Sequence, residues 1–521
     1  MSSHGRPDPR AGAEVRIPTG SEAEAFDHHA ITGVGVPQLV LMENAGRSAA
    51  QVVQRLYPEG RVVGLVGSGN NGGDALVLLR TLAAWGREVT AVLTSDRPKD
   101  DPLLHGWTFP TTTLEDDAWR MQVGSADVLV DGMLGTGVRG APREPQASVI
   151  EEVNGARAVR VALDIPSGVD AGTGAVPGLG IRADVTVAFG APKLGTLLHP
   201  GRAHAGRLVA VEIGFPPPGG MPASARAITP AWGWRHAPRR ALDTHKNEVG
   251  RVLVVAGHAG MAGAAVLAVE AALRTGAGLV QVASPGANRQ ILQGAVPEAI
   301  FVDTDEPGAL ERAIQETHVV AVGPGLGTGE GSRAILDRVL TGPDRPTVLD
   351  ADALNLLAGG DAEVIRAVTE RRPVLMTPHP GEMGRLLGDA LPPDASRAMV
   401  AGAAAERFRC TVLFKGAPSL VAWPGSPLLV DTQGSSDLAT AGLGDVLTGV
   451  CAALMAQGLP PGEAAGVGLY RTGRAAVLAG KGTGLTPRDV VRWIPDATRE
   501  EPSRSSDLDL PFVTFDLPAA R

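Results

Sequence analysis

Short β-branched runs that end in glycines and acids, each followed by a helix-like stretch, recur in two separate series along this chain. That alternation constrains the fold more than any other feature. Strands alternating with helices imply a parallel sheet covered on both faces. Ligands of such a sheet bind beyond the carboxyl ends of its strands. In the first series, residues 61–66 form a run that ends in glycines, residues 74–85 read as a helix, and residues 88–94, 126–130 and 158–163 are further strand candidates. The second series opens at residues 251–256 and continues at 319–322, 347–349, 373–376 and 411–414, with helical patterns such as 263–275 between them. Phe215-Pro216-Pro217-Pro218-Gly219-Gly220-Met221-Pro222 separates the two series and lacks periodicity. We read 216–240 as a linker, the alternative being a long loop within one domain. The stretch 499–521 mixes charges, serines and prolines and reads as a disordered tail.

A chain of 521 residues exceeds the size at which a single core usually divides. The net charge of -9 offers no electrostatic support for a nucleic-acid or anionic-membrane partner. The two cysteines, Cys410 and Cys451, lie in apolar surroundings, so neither a disulfide framework nor a zinc cluster is expected. The first residues are polar, without a signal-peptide core, and no apolar run reaches the ~18–20 residues of a membrane span. The expectation is a soluble, cytoplasmic protein.

Three turns of the first series carry chemistry. Gly67-Ser68-Gly69-Asn70-Asn71-Gly72-Gly73-Asp74 sits between a strand and a helix, where glycines expose N–H groups to a phosphate. It is neither the dinucleotide fingerprint nor a P-loop, and a glycine-rich turn alone is structural as readily as functional. Its Asn and Asp oxygens suit a ligand or a hard cation. Asp131 opens a Gly-rich stretch to Gly140 where the 126–130 strand ends, and Asp164-Ile165-Pro166-Ser167-Gly168 follows the 158–163 strand. In a parallel sheet all three face one rim.

Together with Leu41-Met42-Glu43-Asn44-Ala45-Gly46, these turns resemble the NAD(P)H-hydrate epimerases over about residues 14–215. The resemblance implies a Rossmann-like three-layer sandwich. It implies a K+ site at Asn71, Asp131 and Ser167. It also implies contacts to the hydrated nucleotide from Asn70, Asn71, Gly72, Gly73 and Asp74, from Gly135, Thr136, Gly137, Val138, Arg139, Gly140 and Ala141, and from Asp164. Where relatives often carry Lys, this chain has Arg139, which holds its proton more firmly and is read as a charge stabiliser or phosphate contact rather than a proton shuttle. Asp164 is our candidate acid/base: protonating the ring hydroxyl lets it leave, and water returns on the other face.

The second series ends in Thr440-Ala441-Gly442-Leu443-Gly444-Asp445, two glycines before an acid at the start of an apolar helix-capable run. Such a helix start offers donors and partial positive charge to a phosphate, and the acid can take a hydroxyl proton. Gly323-Pro324-Gly325-Leu326-Gly327, Asp350-Ala351-Asp352-Ala353-Leu354-Asn355, Thr377-Pro378-His379-Pro380-Gly381-Glu382 and Lys415-Gly416-Ala417-Pro418-Ser419 all follow strands. Singly, His379 reads as an ordinary turn residue and the acidic run as a helix cap. In combination they are similar to the ribokinase-like ADP- or ATP-dependent NAD(P)H-hydrate dehydratases over about residues 245–495. The resemblance implies a ribokinase-like α/β domain. Lys415, Gly416, Ala417, Pro418, Ser419 and Gly444 would hold the adenine nucleotide with Mg2+, and Ala264 or Ala265, Gly325, His379 and Asp445 would face the hydrated substrate.

The leading expectation is therefore one chain with an epimerase domain at 14–215 and a dehydratase domain at 241–498, acting on hydrated NADH and NADPH at the expense of ADP or ATP. Homo-oligomerisation stays open. A vitamin-type small-molecule kinase would share the fold and the Gly-Leu-Gly-Asp helix start. A first domain acting only as a binding module, as similar folds do in some RNA-decay proteins, is the third reading.

Overall fold

A computed structural model describes residues 14–98, 101–115, 117–217, 223–240, 249–359, 362–388, 395–501 and 506–519. The chain divides into two compact α/β units, Met1–Arg226 with Arg504–Arg521, and Ala227–Ser503.

In the first unit, β1 (Arg16–Ile17) pairs antiparallel with the first residues of β9 (Ala225–Ile228). The main sheet comprises β2 (Val62–Val66), β3 (Val89–Leu93), β4 (Thr111–Thr113), β5 (Val128–Gly132), β6 (Val159–Leu163), β7 (Val185–Phe189) and β8 (Arg207–Val211). Its order is β8-β7-β6-β5-β2-β3-β4, all parallel. β2, β5 and β7 are buried throughout, as strands covered on both faces must be. The helix Gln38–Leu56 packs on the helix Asn70–Ala84 through Gly46, where a Cβ would lie 2.6 Å from the Asp74 carbonyl oxygen.

The C-terminal stretch corrects the expectation of a disordered tail over 499–521. Val513–Leu517 forms a strand antiparallel to β8, with Val513 and Phe515 buried. Arg207 pairs with Asp516, its Nε donating at 2.9 Å, and the Glu212 N–H donates to the Phe512 carbonyl at 2.8 Å. Residues 502–505, 520 and 521 lie outside the described residues.

The second unit's sheet is built from β10 (Arg251–Val255), β11 (Leu279–Ser284), β12 (Ile300–Asp303), β13 (Val319–Val322), β14 (Thr347–Leu349), β15 (Val374–Met376), β16 (Thr411–Phe414), β17 (Leu420–Ala422) and β18 (Leu428–Asp431). The order is β18-β17-β16-β15-β14-β13-β10-β11-β12. Strands β10 to β16 are parallel, and β17 and β18 turn antiparallel at one end. The helix Leu443–Ala456 lies on the helix Ala262–Thr275, and a Cβ on Gly449 would stand 2.0 Å from the Ala268 carbonyl oxygen. Only glycine permits that approach.

The expected linker 216–240 is also corrected in part. It contains β9 and the helix Pro230–His236, whose Trp232 is buried and whose N-terminus is capped by Thr229. Residues 218–222 of the Pro/Gly-rich segment, and 241–248 at the expected start of the second domain, lie outside the described residues.

Candidate active sites

β6, β5 and β2 are parallel neighbours in the first unit, so the three expected turns reach one rim. The first is tighter than its sequence suggested. The helix begins at Asn70 rather than Asp74, because Gly72 and Gly73 are helical. A Cβ on Gly72 would lie 1.9 Å from the Gly67 carbonyl oxygen, and one on Gly67 would lie 2.0 Å from that of Met133. Arg97 holds the turn from behind, donating to the Gly67 carbonyl at 2.6 Å while paired with Asp101 at 2.7 Å.

A cavity of about 930 Å³ opens at this rim. Asn70, Asn71, Asp74, Gly135, Thr136, Gly137, Val138 and Asp164 line it, as do Asp27 and Lys193. Gly72, Gly73, Arg139, Gly140 and Ala141 do not line it, and the last three are exposed. Phe215 and Phe26 form part of the apolar wall, their ring centroids 4.8 Å apart.

Asp164 adopts φ +63, a left-handed conformation that Asp tolerates better than most residues and that often marks a functional position. Its Oδ1 accepts the Phe189 N–H at 3.0 Å and an ion pair from the buried Lys193, whose Nζ also donates to the Phe189 carbonyl at 2.9 Å. Asp27 keeps an exposed edge, yet desolvation on its cavity side raises it to about 6; Lys193 opposes the shift, while Asp164 and Glu24 reinforce it. Burial also holds Asp74 well above the usual carboxylate range, helped by Asp164 and Asp27. One ammonium, ion-paired to Asp164, thus faces two further carboxyls.

A second constellation lies beneath the rim. Asp131 is the penultimate residue of β5 rather than the start of a loop. Its carboxylate accepts the Ser167 N–H at 2.8 Å, the Ser167 hydroxyl at 2.6 Å and the Met133 N–H at 3.2 Å. Burial nevertheless lifts it to about 6, those hydrogen bonds opposing the shift. The Ser167 Oγ accepts the Leu134 N–H at 3.0 Å, and the Asn71 amide nitrogen donates to the Leu134 carbonyl at 2.9 Å. That leaves the Asn71 Oδ1 buried with no hydrogen-bond partner among the described residues. A buried orphan acceptor is costly unless a ligand satisfies it, and amide, carboxylate and hydroxyl oxygens are the donors a hard cation takes.

In the second unit, Asp350 at the end of β14 is the hub. Lys415 reaches it at 2.7 Å and the Thr448 hydroxyl at 2.7 Å, which ties the Lys415 loop and the helix Leu443–Ala456 to one carboxylate. Burial would raise Asp350, but the charge of Lys415 and the hydrogen bonds from Lys415, Thr448 and Thr377 outweigh it and hold the group below its usual value. The Glu382 carboxylate stands 4.0 Å from the same ammonium. A Cβ on Gly444 would lie 3.3 Å from the Lys415 Nζ, so the Gly-Leu-Gly-Asp helix start abuts this cation. Burial raises Asp445 to about 7; Asp350 and Asp352 add to the shift and Lys415 opposes it.

The remaining loops converge here. Asp352 accepts the Gly327 N–H at 2.8 Å, and the Lys415 N–H donates to the Pro378 carbonyl at 2.9 Å. Arg397 clamps the Lys415–Ser419 turn by donating to the carbonyls of Lys415 at 3.1 Å and Pro418 at 3.2 Å. The Ser419 hydroxyl donates to the Gly416 carbonyl at 3.1 Å inside that turn. His379 caps the helix Pro380–Leu387, its Nδ1 accepting the Gly381 N–H at 3.0 Å, which leaves its Nε2 facing Glu382 at 3.3 Å. Half-exposed, it offers the site a ring face more than a free nitrogen. Ala265 is fully buried in the core, whereas the Ala264 Cβ lies 3.0 Å from where a Cβ on Gly325 would stand. Of the two expected alanines, Ala264 is the one at the Gly325 loop.

Sequence reasoning did not single out Asp27, Lys193, Asp350 or Arg397 as site residues. Lys193 follows β7, a strand the reading did not name, and the strand-to-loop placement used elsewhere would have flagged it.

The family described as YjeF-related protein N-terminus matches residues 38–195, and that described as NAD(P)H-hydrate dehydratase matches residues 252–496. The bifunctional NAD(P)H-hydrate repair enzyme of Moorella thermoacetica is 36% identical over 92% of this chain and 96% of its own length. That of Salinibacter ruber is 38% identical over 88% and 91%. Among solved structures, the ADP/ATP-dependent NAD(P)H-hydrate dehydratase of Bacillus subtilis, co-crystallised with ATP and Mg2+, is 27% identical over 52% of this chain and 96% of that chain, with a TM-score of 0.45.

Proposed function

The chain belongs to the bifunctional NAD(P)H-hydrate repair enzymes, and from that membership we propose how its two units divide the work. The first unit interconverts the R and S forms of hydrated NADH and NADPH. The second dehydrates the S form to the reduced dinucleotide at the expense of ADP or ATP. The observation that carries this reading is that each unit has its own acid–lysine pair at the strand ends of its own sheet, Asp164 with Lys193 and Asp350 with Lys415.

In the first unit, the hydroxyl to be displaced sits on the carbon bonded to the ring nitrogen. Protonation lets it depart as water while the nitrogen lone pair stabilises the cation, and water adds to the other face. Asp164 is the acid/base of this exchange, oriented by Lys193 and the Phe189 N–H. Asn71, Asp131 and Ser167 would hold K+, which the orphaned Asn71 oxygen suits. The ion would order the three turns.

In the second unit, Asp445 accepts the proton of the ring hydroxyl as that oxygen takes the terminal phosphoryl group of the nucleotide. Phosphate then leaves with the push of the ring nitrogen, and the resulting cation loses a proton from the adjacent ring carbon to water, which restores the ring double bond of the reduced dinucleotide. A base near neutrality is suited to this step, and Asp445 at about 7 meets the requirement. Lys415 and the Lys415–Ser419 turn hold the nucleotide with Gly444, while Ala264, Gly325 and His379 border the substrate. Mg2+ would be held jointly by the nucleotide phosphates and the site. No described helix is long and apolar enough to cross a membrane.

The test supplies mixed R and S hydrates with ADP or ATP and follows the absorbance of reduced nicotinamide. Complete recovery supports both activities. A stable phosphorylated product would instead make the second unit a kinase.

A further inference from the structure

The proposed epimerisation needs proton transfer on two faces of one ring, yet a single carboxylate reaches one face at a time. The cavity holds a second group with the right chemistry. Asp27 enters from the helix Gly20–His28, which covers the rim: Cβ atoms on Gly20 and Gly137 would lie 3.1 Å from the Thr136 carbonyl oxygen and 3.0 Å from the Glu24 carboxylate. Asp164 enters from the end of β6. The two carboxyls therefore come from different elements lining one cavity. Among the described residues Asp27 has no hydrogen-bond or ion-pair partner, so no structural duty accounts for a carboxyl there.

We propose that Asp27 is a catalytic residue of the epimerisation, the proton-transfer partner that serves the ring face opposite Asp164. The proposal rests on the epimerase reading of the first unit. In one direction the Asp27 carboxyl gives its proton to the departing hydroxyl. The carbon–oxygen bond breaks, water leaves, and the ring-nitrogen lone pair forms the carbon–nitrogen double bond. Water then adds from the other face, its bonding pair makes the new carbon–oxygen bond, and the double-bond pair returns to nitrogen. The Asp164 carboxylate takes the proton lost by that water. The reverse epimerisation runs with the two roles exchanged, and cavity water restores the proton between turnovers.

The surrounding charges suit this division. Asp164 and Lys193 face Asp27 from the sheet side, Asp74 from the helix Asn70–Ala84 and Glu24 from its own helix. Desolvation and the neighbouring Asp164 and Glu24 carboxylates outweigh Lys193, so Asp27 keeps its proton up to about pH 6. Asp74 is the other acid that could carry it, but it is buried in the floor of the cavity and exposes only 8% of its surface.

The test uses the full-length enzyme and isolated R hydrate. Asp27→Asn is expected to lower kcat for epimerisation by about 10²–10⁴-fold with KM nearly unchanged. The thermal unfolding of the first unit, compared with that of the wild-type enzyme, serves as the folding control. Asp27→Ala is expected to recover part of the lost rate with added formate, more so as the pH falls, a rescue that a residue needed only for packing would not give. Wild-type kcat in Asp27→Asn, a loss confined to KM, or no rescue by formate would each overturn the assignment. Failure of the wild-type enzyme to interconvert the hydrates would instead refute the epimerase reading itself.

Discussion

Burial lifts both Asp445 and Asp131, yet the two shifts act on different events. Asp445 must lose its proton before it can accept another from the substrate. Below about pH 7 it is protonated, so kcat for dehydration is expected to fall about tenfold per pH unit below that point and to level off above it. Steady-state rates with saturating nucleotide check this, and Asp445→Asn should abolish dehydration while epimerisation continues. For Asp131, protonation below about 6 removes the charge that a cation needs. Stabilisation of the first unit by K+ is therefore expected at about pH 8 and should fade toward about pH 5. Thermal denaturation in potassium against a large organic cation measures it. Equal stabilisation at both pH values would disconnect Asp131 from the ion. The acid at Asp131 was legible in the sequence, but its saturation by Ser167 and Met133 was not. The Ser167 bonds follow from β5 and β6 lying side by side, which no local pattern states, and the Met133 bond closes the turn that leaves β5.

Loops and strands differ in how well sequence reports them. The strands at 319–322, 347–349 and 411–414 lie where the apolar runs put them, because a strand buried on both faces leaves a continuous apolar signature. The C-terminal strand left a weaker one. Its partner β8 is some 300 positions away, only Val513 and Phe515 are buried, and charged residues flank them. Asp27 escaped for a related reason, since it acquires meaning only from Asp164 on another element, whereas Lys193 escaped because β7 was not read as a strand. The Lys415–Ser419 turn was readable as a nucleotide loop, but its clamp was not. Arg397 sits at the start of the helix Arg397–Phe408 and spans the turn with charge-assisted hydrogen bonds. Such bonds contribute about 1.5–3 kcal/mol each. Arg397→Ala is expected to raise the nucleotide KM about tenfold or more with a smaller effect on kcat, and initial rates at varied nucleotide concentration decide it. A fall in kcat alone would show that the turn forms without the clamp.

At the scale of the whole molecule, the first unit is discontinuous in sequence: the chain leaves it at Arg226 and returns at Arg504. The returning strand contributes Thr514 to the cavity wall and covers the β8 edge, and an uncovered strand edge invites pairing with other chains. Truncation after Ser503 is therefore expected to lower the melting temperature of the first unit, to cut epimerisation severely and to leave dehydration of the S hydrate intact. Activity assays on the truncated chain test this, and wild-type epimerisation would show that the strand is dispensable. The same discontinuity sets an order in time. Ribosomes add about 5–20 residues per second. The first unit therefore waits about fifteen seconds to a minute, while the whole of the second unit emerges, before its last strand exists. Until residues 513–517 are translated, a nascent chain presents the β8 edge to its neighbours on the same polysome, so slow translation of the second unit would favour misassembly of the first.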